Sequence, residues 1–176
     1  MTTRIALLRG INVGRNRRIA MADLRMMLES LGYDDVRTHL QSGNAIFISG
    51  AGKDAALEQQ ISAAIKATFG MDVAVMVRTP AEIASVVDSN PFAVRGADTS
   101  ELHATFLAAA PSAAKIAAVD RAACAPDEFS VGERVIYVRL RNGVMGSRLP
   151  DWDKTLGTRT TTRNWNTTTR LREMLE

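Results

Sequence analysis

Apolar positions along the chain switch repeatedly between the period of a strand and the period of a helix, and each switch is marked by glycine or a polar cluster. Residues 5–8 form a short apolar run closed by Arg9-Gly10, which predicts a buried strand. From Met21 onward, Leu24, Met27, Leu28 and Leu31 recur at helical spacing ahead of Gly32, so residues 21–31 predict an amphipathic helix with a glycine C-cap. Residues 36–40 and 44–48 read as strands joined through Gln41-Ser42-Gly43, which contains the glycine that hairpin turns favour. Leu57, Ile61, Ala64, Ile65 and Thr68 then set a second helix over residues 53–69, stopped by Gly70, and residues 73–77 close the series as a strand.

Strand, helix, strand, strand, helix, strand is the order of a ferredoxin-like plait, with both helices expected on one face of the sheet. A helix over residues 81–88 follows, then a loop at Asn90-Pro91, because proline disfavours helix for the residue before it. A second round starts there, with a strand at 102–107, an alanine-rich helix at 112–123, and a hairpin of residues 128–131 and 135–140 around Gly132. Short and longer helices are predicted at 151–156 and 164–176. The expected fold is therefore α+β: a ferredoxin-like half over residues 1–79 and a modified plait-like half over 80–176 ending in a C-terminal helix. No sequence repeat connects the halves.

Composition narrows the class. Apolar residues make up 46% of the 176 and charged residues 23%, the balance of a folded globular chain. No apolar run reaches the roughly 20 residues a membrane-spanning helix needs, and the start of the chain lacks the apolar core and cleavage site of a secretion signal, so no membrane association and a cytoplasmic location are expected. The single cysteine, Cys124, has no partner for an intrachain disulfide and is expected to be an inert thiol. His39 and His103 sit alone in strand patterns, and no spacing matches a metal site, a Walker loop or a dinucleotide fingerprint, so no cofactor is expected.

Charge is distributed unevenly. Residues 1–49 carry 7 basic against 4 acidic side chains, residues 50–133 carry 6 against 11, and residues 134–176 carry 9 against 4. Only Lys53, Lys66, Lys115 and Lys154 are lysines, so the basic ends are arginine-rich, suited to bidentate contact with phosphate or carboxylate, or simply to a solvated surface. Three polar clusters stand at predicted element ends: residues 9–18, residues 41–44, and residues 160–167, whose hydroxyls can cap a helix. Each also reads as ordinary turn or core structure. In a plait the first two strands run parallel, so the first two clusters should be neighbours.

These clusters carry a resemblance. Ala6-Leu7-Leu8-Arg9-Gly10-Ile11-Asn12-Val13-Gly14, Met21-Ala22-Asp23-Leu24-Arg25, Gln41-Ser42-Gly43-Asn44, Asn90-Pro91-Phe92 and Thr162-Arg163-Asn164-Trp165-Asn166-Thr167 are similar, in this order, to the motifs of the family called domain of unknown function 1697. The resemblance implies two ferredoxin-like α/β parts in an intracellular protein and brings no reaction with it. Arg15 departs from the pattern where a second glycine is common, and Met145-Gly146 departs where glycine and a basic residue are common; Arg148 keeps the basic character.

The expected function is that of a binding protein, or an enzyme of unassigned reaction, for a small anionic, phosphate-bearing ligand held by Arg9, Asn12, Gln41, Asn44, Arg163 and Asn166. Arg9 and Arg163 are expected to be exposed and to serve one anion site. Nucleic-acid binding is the alternative suggested by a pI near 9.4, but of the aromatics only Phe47 falls in the first unit's central strand patterns, a poor platform for stacking bases. An interaction module without a small ligand is the third reading.

Overall fold

A computed structural model describes residues 1–14 and 17–176. Arg15 and Asn16, part of the first polar cluster, lie outside the described residues. The chain has a mixed α+β fold with two four-stranded antiparallel sheets, and it divides into two compact units, Met1–Glu82 and Ile83–Glu176.

In the first unit the elements run β1 (Thr2–Leu8), α1 (Met21–Ser30), β2 (Asp34–His39), β3 (Asn44–Ser49), α2 (Asp54–Phe69) and β4 (Val75–Arg78). The sheet order is β2-β3-β1-β4. Strand alternation turns Ala6, Leu8, Ala45, Phe47, Val75 and Val77 to the side where Leu24, Met27 and Leu28 of α1 and Leu57, Ile61 and Ile65 of α2 complete the core. Gly70 ends α2 in the left-handed conformation at φ 69°, the glycine C-cap expected there. Residues of the opposite sheet side, Ile5, Leu7, Ile46 and Met76, are buried as well. Phe47 stacks on Tyr33 with ring centroids 4.5 Å apart and has no exposed surface, so the aromatic weighed for base stacking is committed to the core.

The second unit takes most of α3 (Pro80–Asp88) and continues with α4 (Pro91–Val94), β5 (Leu102–Leu107), α5 (Ala113–Ala117), α6 (Arg121–Cys124), β6 (Glu128–Val131), β7 (Val135–Arg139), α7 (Trp152–Leu156), β8 (Thr160–Asn164) and α8 (Trp165–Glu173). Its sheet order is β6-β7-β5-β8. Leu107, Phe129, Ile136, Val138, Trp152 and Leu156 form its core.

Three local expectations are corrected here. The Asn90-Pro91 loop is the start of α4: Asn90 accepts from the Phe92 and Ala93 N–H groups, and proline occupies the first turn, where its missing donor costs nothing. The alanine-rich helix is two short ones, because the Asp120 side chain caps a new start by accepting from Ala122 and Ala123. Thr160-Thr161-Thr162, whose hydroxyls are expected to cap a helix, instead form a strand, β8, which pairs with β5 from His103↔Asn164 to Leu107↔Thr160, and Asn164 is the cap of α8. Threonine's branched Cβ suits a pleated sheet, and Thr162 meets Thr105 across the ladder at 2.9 Å between hydroxyl oxygens.

Candidate functional site

The site in the first unit grows from the end of β1. The Leu8 N–H donates to the Gly43 carbonyl at 2.8 Å and the Arg9 N–H to the Ala74 carbonyl at 2.9 Å, so the strand end is pinned between the β2–β3 turn and the approach to β4. The chain then leaves through Gly10 at φ 63° and Asn12 at φ 57°. Ile11 and Ile19 anchor this loop in the core at 1% and 2% exposure.

Asn12 is the clamp. Its Oδ1 accepts from the Ile19 N–H at 2.8 Å, and its Nδ2 donates to the Ile19 carbonyl at 3.0 Å and the Gln41 carbonyl at 2.7 Å. The first two polar clusters are therefore neighbours, because β1 and β2 are both antiparallel to β3 and so run the same way. Arg17 extends the clamp by donating through Nη2 to the Asp72 carbonyl at 2.8 Å.

Asn12, Arg18, Ile19, Ala20, Met21 and Gln41 line an open cavity of about 430 Å³. At its wall α1 begins without a side-chain cap: Ala20 is extended and supplies none. The first intrahelical bond runs from the Leu24 N–H to the Ala20 carbonyl, so the N–H groups of Met21, Ala22 and Asp23 lie ahead of the helical ladder. Arg18 is exposed and, among the described residues, makes no hydrogen bond or ion pair. The uncapped start of α1, through Ala20 and Met21, and the Arg18 guanidinium, which has no partner among the described residues, thus border one space. Asp23 in the first helical turn is the nearby opposing charge.

The expected site residues divide. Arg9 is exposed. Asn12 and Gln41 line the cavity, although Asn12 spends its side chain on the loop. Asn44 has no exposed surface; its Nδ2 donates to the His39 carbonyl at 2.8 Å and to Ser42 Oγ at 3.1 Å, bonds internal to the turn. In the second unit Asn166 is exposed in the first turn of α8, which Asn164 caps by accepting from the Thr167 N–H. Arg163 is not exposed as expected. It is 6% accessible on β8, donates to Thr161 Oγ1 at 2.8 Å and the Thr162 carbonyl at 3.0 Å, and burial lowers its pKa to about 10. Arg18 is the residue that sequence reasoning passed over; the available signal was a cation immediately before the α1 pattern.

The remaining reactive side chains have structural settings. Cys124 is buried, its Sγ directed at the Asp120 carbonyl at 3.3 Å, and desolvation raises its thiol pKa, so little thiolate forms at neutral pH. Asp127 ties down the loop ahead of Arg148 by accepting from the Arg141 N–H at 2.9 Å and the Arg148 N–H at 2.8 Å. Among the described residues no group of His, Cys, Asp and Glu side chains could hold a metal ion, and no helix is long and apolar enough to cross a membrane.

His103 is half-buried on β5, its Nδ1 has no hydrogen-bond partner among the described residues, and desolvation, partly opposed by a bond with the Glu101 backbone, lowers its pKa below 6.5. The unfolded chain therefore binds its proton first on acidification. Stability linked to His103 is complete above pH 6.5 and is lost as pH falls through 6.5 towards the lower native value. Urea midpoints at pH 7 and pH 5 are expected to differ less in His103→Asn than in the wild-type chain; an equal fall in both would mean that His103 does not contribute.

Comparison with known proteins places the fold before the function. The family model described as "Protein of unknown function (DUF1697)" matches residues 1–137. No curated protein matches the chain. Among solved structures, a conserved bacterial protein from Streptococcus pneumoniae is similar over 99% of both chains, with a TM-score of 0.75 and 19% sequence identity, a likeness of fold.

Proposed function

This chain belongs to the DUF1697 family of proteins of unknown function, and we propose that it holds a small phosphate-bearing ligand in the first unit, as a binding protein or as an enzyme. The observation that carries the reading is that the uncapped start of α1 and Arg18, which makes no ion pair among the described residues, border one cavity of about 430 Å³. An oxyanion there would accept from the first-turn N–H groups, align with the helix dipole and take a bidentate contact from Arg18. Gln41 and Arg9 are the further proposed contacts, with Asn12 and Asn44 acting through the shape they give the loops. For Arg163 and Asn166 the same role rests on the sequence motif alone.

We also read each unit as a ferredoxin-like plait. The support is the strand order, β2-β3-β1-β4 in one and β6-β7-β5-β8 in the other, with helical segments between the first and second and between the third and fourth strands. The nucleic-acid alternative is weakened by the same sheets. Ile5, Leu7 and Phe47 are buried, which leaves this strand pair no exposed aromatic on which bases could stack.

A melting screen of nucleotides and sugar phosphates tests the proposal. At about 100 times its dissociation constant a ligand stabilises the fold by about 2.7 kcal/mol, which raises the melting temperature by roughly 5–10 °C for a chain of this size. That shift is expected to vanish in Arg18→Gln and shrink in Arg9→Ala. A panel without a single wild-type shift, or a shift that survives Arg18→Gln, would sink the reading.

A further inference from the structure

The second unit holds its own cavity of about 330 Å³ beside α4 and β6, within the size range of small-molecule sites. One wall is apolar and firmly seated: Pro91, Phe92 and Phe129 line it, and the latter two are rooted in the core at 5% and 4% exposure. Phe129 is also held edge-on against Trp152, with centroids 5.0 Å apart. The Asn90-Pro91-Phe92 motif, which has no part in the first unit's cavity, thus supplies a structured wall here.

The charges around this cavity are either engaged or available. Asp127 is 4% exposed and both its carboxylate oxygens accept backbone N–H groups, from Arg141 and Arg148. Glu128 Oε1 faces Arg139 Nη1 at 3.6 Å and Arg141 Nη2 at 3.5 Å. Arg121 lies over the Phe129 ring, its Cζ 4.0 Å from the centroid, and donates through Nη1 to the Phe129 carbonyl at 2.9 Å, which fixes the guanidinium plane. Arg95 is exposed, and among the described residues neither Arg95 nor Arg121 is paired with a carboxylate.

We propose that this cavity is a second, separate binding site, for a small organic monocarboxylate with a flat apolar body. An oriented guanidinium matches the two oxygens of a carboxylate, Arg95 adds a second cation, and half-buried Pro91, with the little surface that Phe92 and Phe129 leave exposed, takes the apolar part. The neighbouring Asp127 and Glu128 carboxylates set the charge class: they repel a phosphate dianion more than a single negative charge.

The probes are benzoate, benzyl alcohol and phenyl phosphate, titrated into the intact chain with amide NMR as readout. Benzoate is expected to bind saturably, shifting the amides of Phe92, Phe129 and Ser130, with the other two probes weaker by about tenfold or more. Arg95→Gln and Arg121→Gln should each weaken benzoate by a similar factor. Arg121 also contributes to packing, whereas Arg95 is exposed, so the Arg95 variant keeps the result interpretable if the other misfolds. No saturation by about 50 mM benzoate, far weaker than the millimolar range of a minimal ligand, would overturn the proposal. So would equal binding of the alcohol or the phosphate, or an unchanged benzoate affinity in Arg95→Gln.

Discussion

Gly43→Ala is expected to lower stability by about 2–5 kcal/mol, combining a left-handed backbone penalty of about 1–2 kcal/mol with about 1–3 kcal/mol of overpacking. Gly43 stands at φ 80°, and a Cβ there would lie 2.7 Å from Ile11 Cδ1 and 2.8 Å from Leu8 Cβ. Neither neighbour has room to yield, since Leu8 is fully buried in β1 and Ile11 is 1% exposed. The strain has a functional consequence because Ile11 precedes Asn12, whose bonds to Ile19 and Gln41 shape the cavity. Gly96→Ala is the matched control: Gly96 has φ 73° with nothing within 4 Å of the added Cβ, so only the backbone penalty applies. Urea denaturation of both variants measures the difference. Equal losses would mean that the close approach of the turn to Leu8 and Ile11 contributes nothing.

At Arg163 the expected results depend on the replacement. Arg163→Ala removes the bonds to Thr161 and Thr162 and leaves a buried void, at an expected loss of about 2–4 kcal/mol. Arg163→Met keeps much of the stem's volume while removing a charge that burial disfavours, and should remain within about 1 kcal/mol of wild type. The pH dependence follows from the lowered pKa. Arg163 is protonated at neutral pH in both states, so its burial cost is constant below about pH 10 and is relieved only as pH rises above about 10. Between pH 5 and pH 9 Arg163 therefore adds no slope. If the methionine variant proves as unstable as the alanine one, the charge itself is required.

The first unit is legible because α1 and α2 each carry a clean apolar stripe and are closely followed by a glycine of positive φ: Gly70 is the C-cap of α2, while Gly32 comes just after Leu31, the C-cap of α1. The second was harder for identifiable reasons. Its β8 is built from threonine, with Thr160 and Thr161 buried and Thr162 exposed, so no apolar alternation announces it. In the sequence Pro91 signals a loop through its effect on the preceding residue, whereas its place in the first turn of α4 is favourable. Asp120 looked like one polar residue in an alanine-rich helix, and only its capping bonds reveal a restart.

The candidate site was legible in its neighbours more than in its chemistry. Strand direction alone brings Asn12 to Gln41. What sequence does not reveal is which amides are spent on structure, as at Asn44, or which arginine is buried, as at Arg163. Nor does a run of cations reveal that Arg17 is spent on Asp72 while Arg18 borders the cavity.

Amide NMR during titration of the strongest phosphorylated compound from the melting screen tests the first-unit anion site most directly. The predicted result is saturable shifts concentrated at the N–H groups of Met21, Ala22 and Asp23 and at the Gln41 side chain, all lost in Arg18→Gln. Saturable binding whose shifts bypass the start of α1, or that persists unchanged in Arg18→Gln, would contradict it.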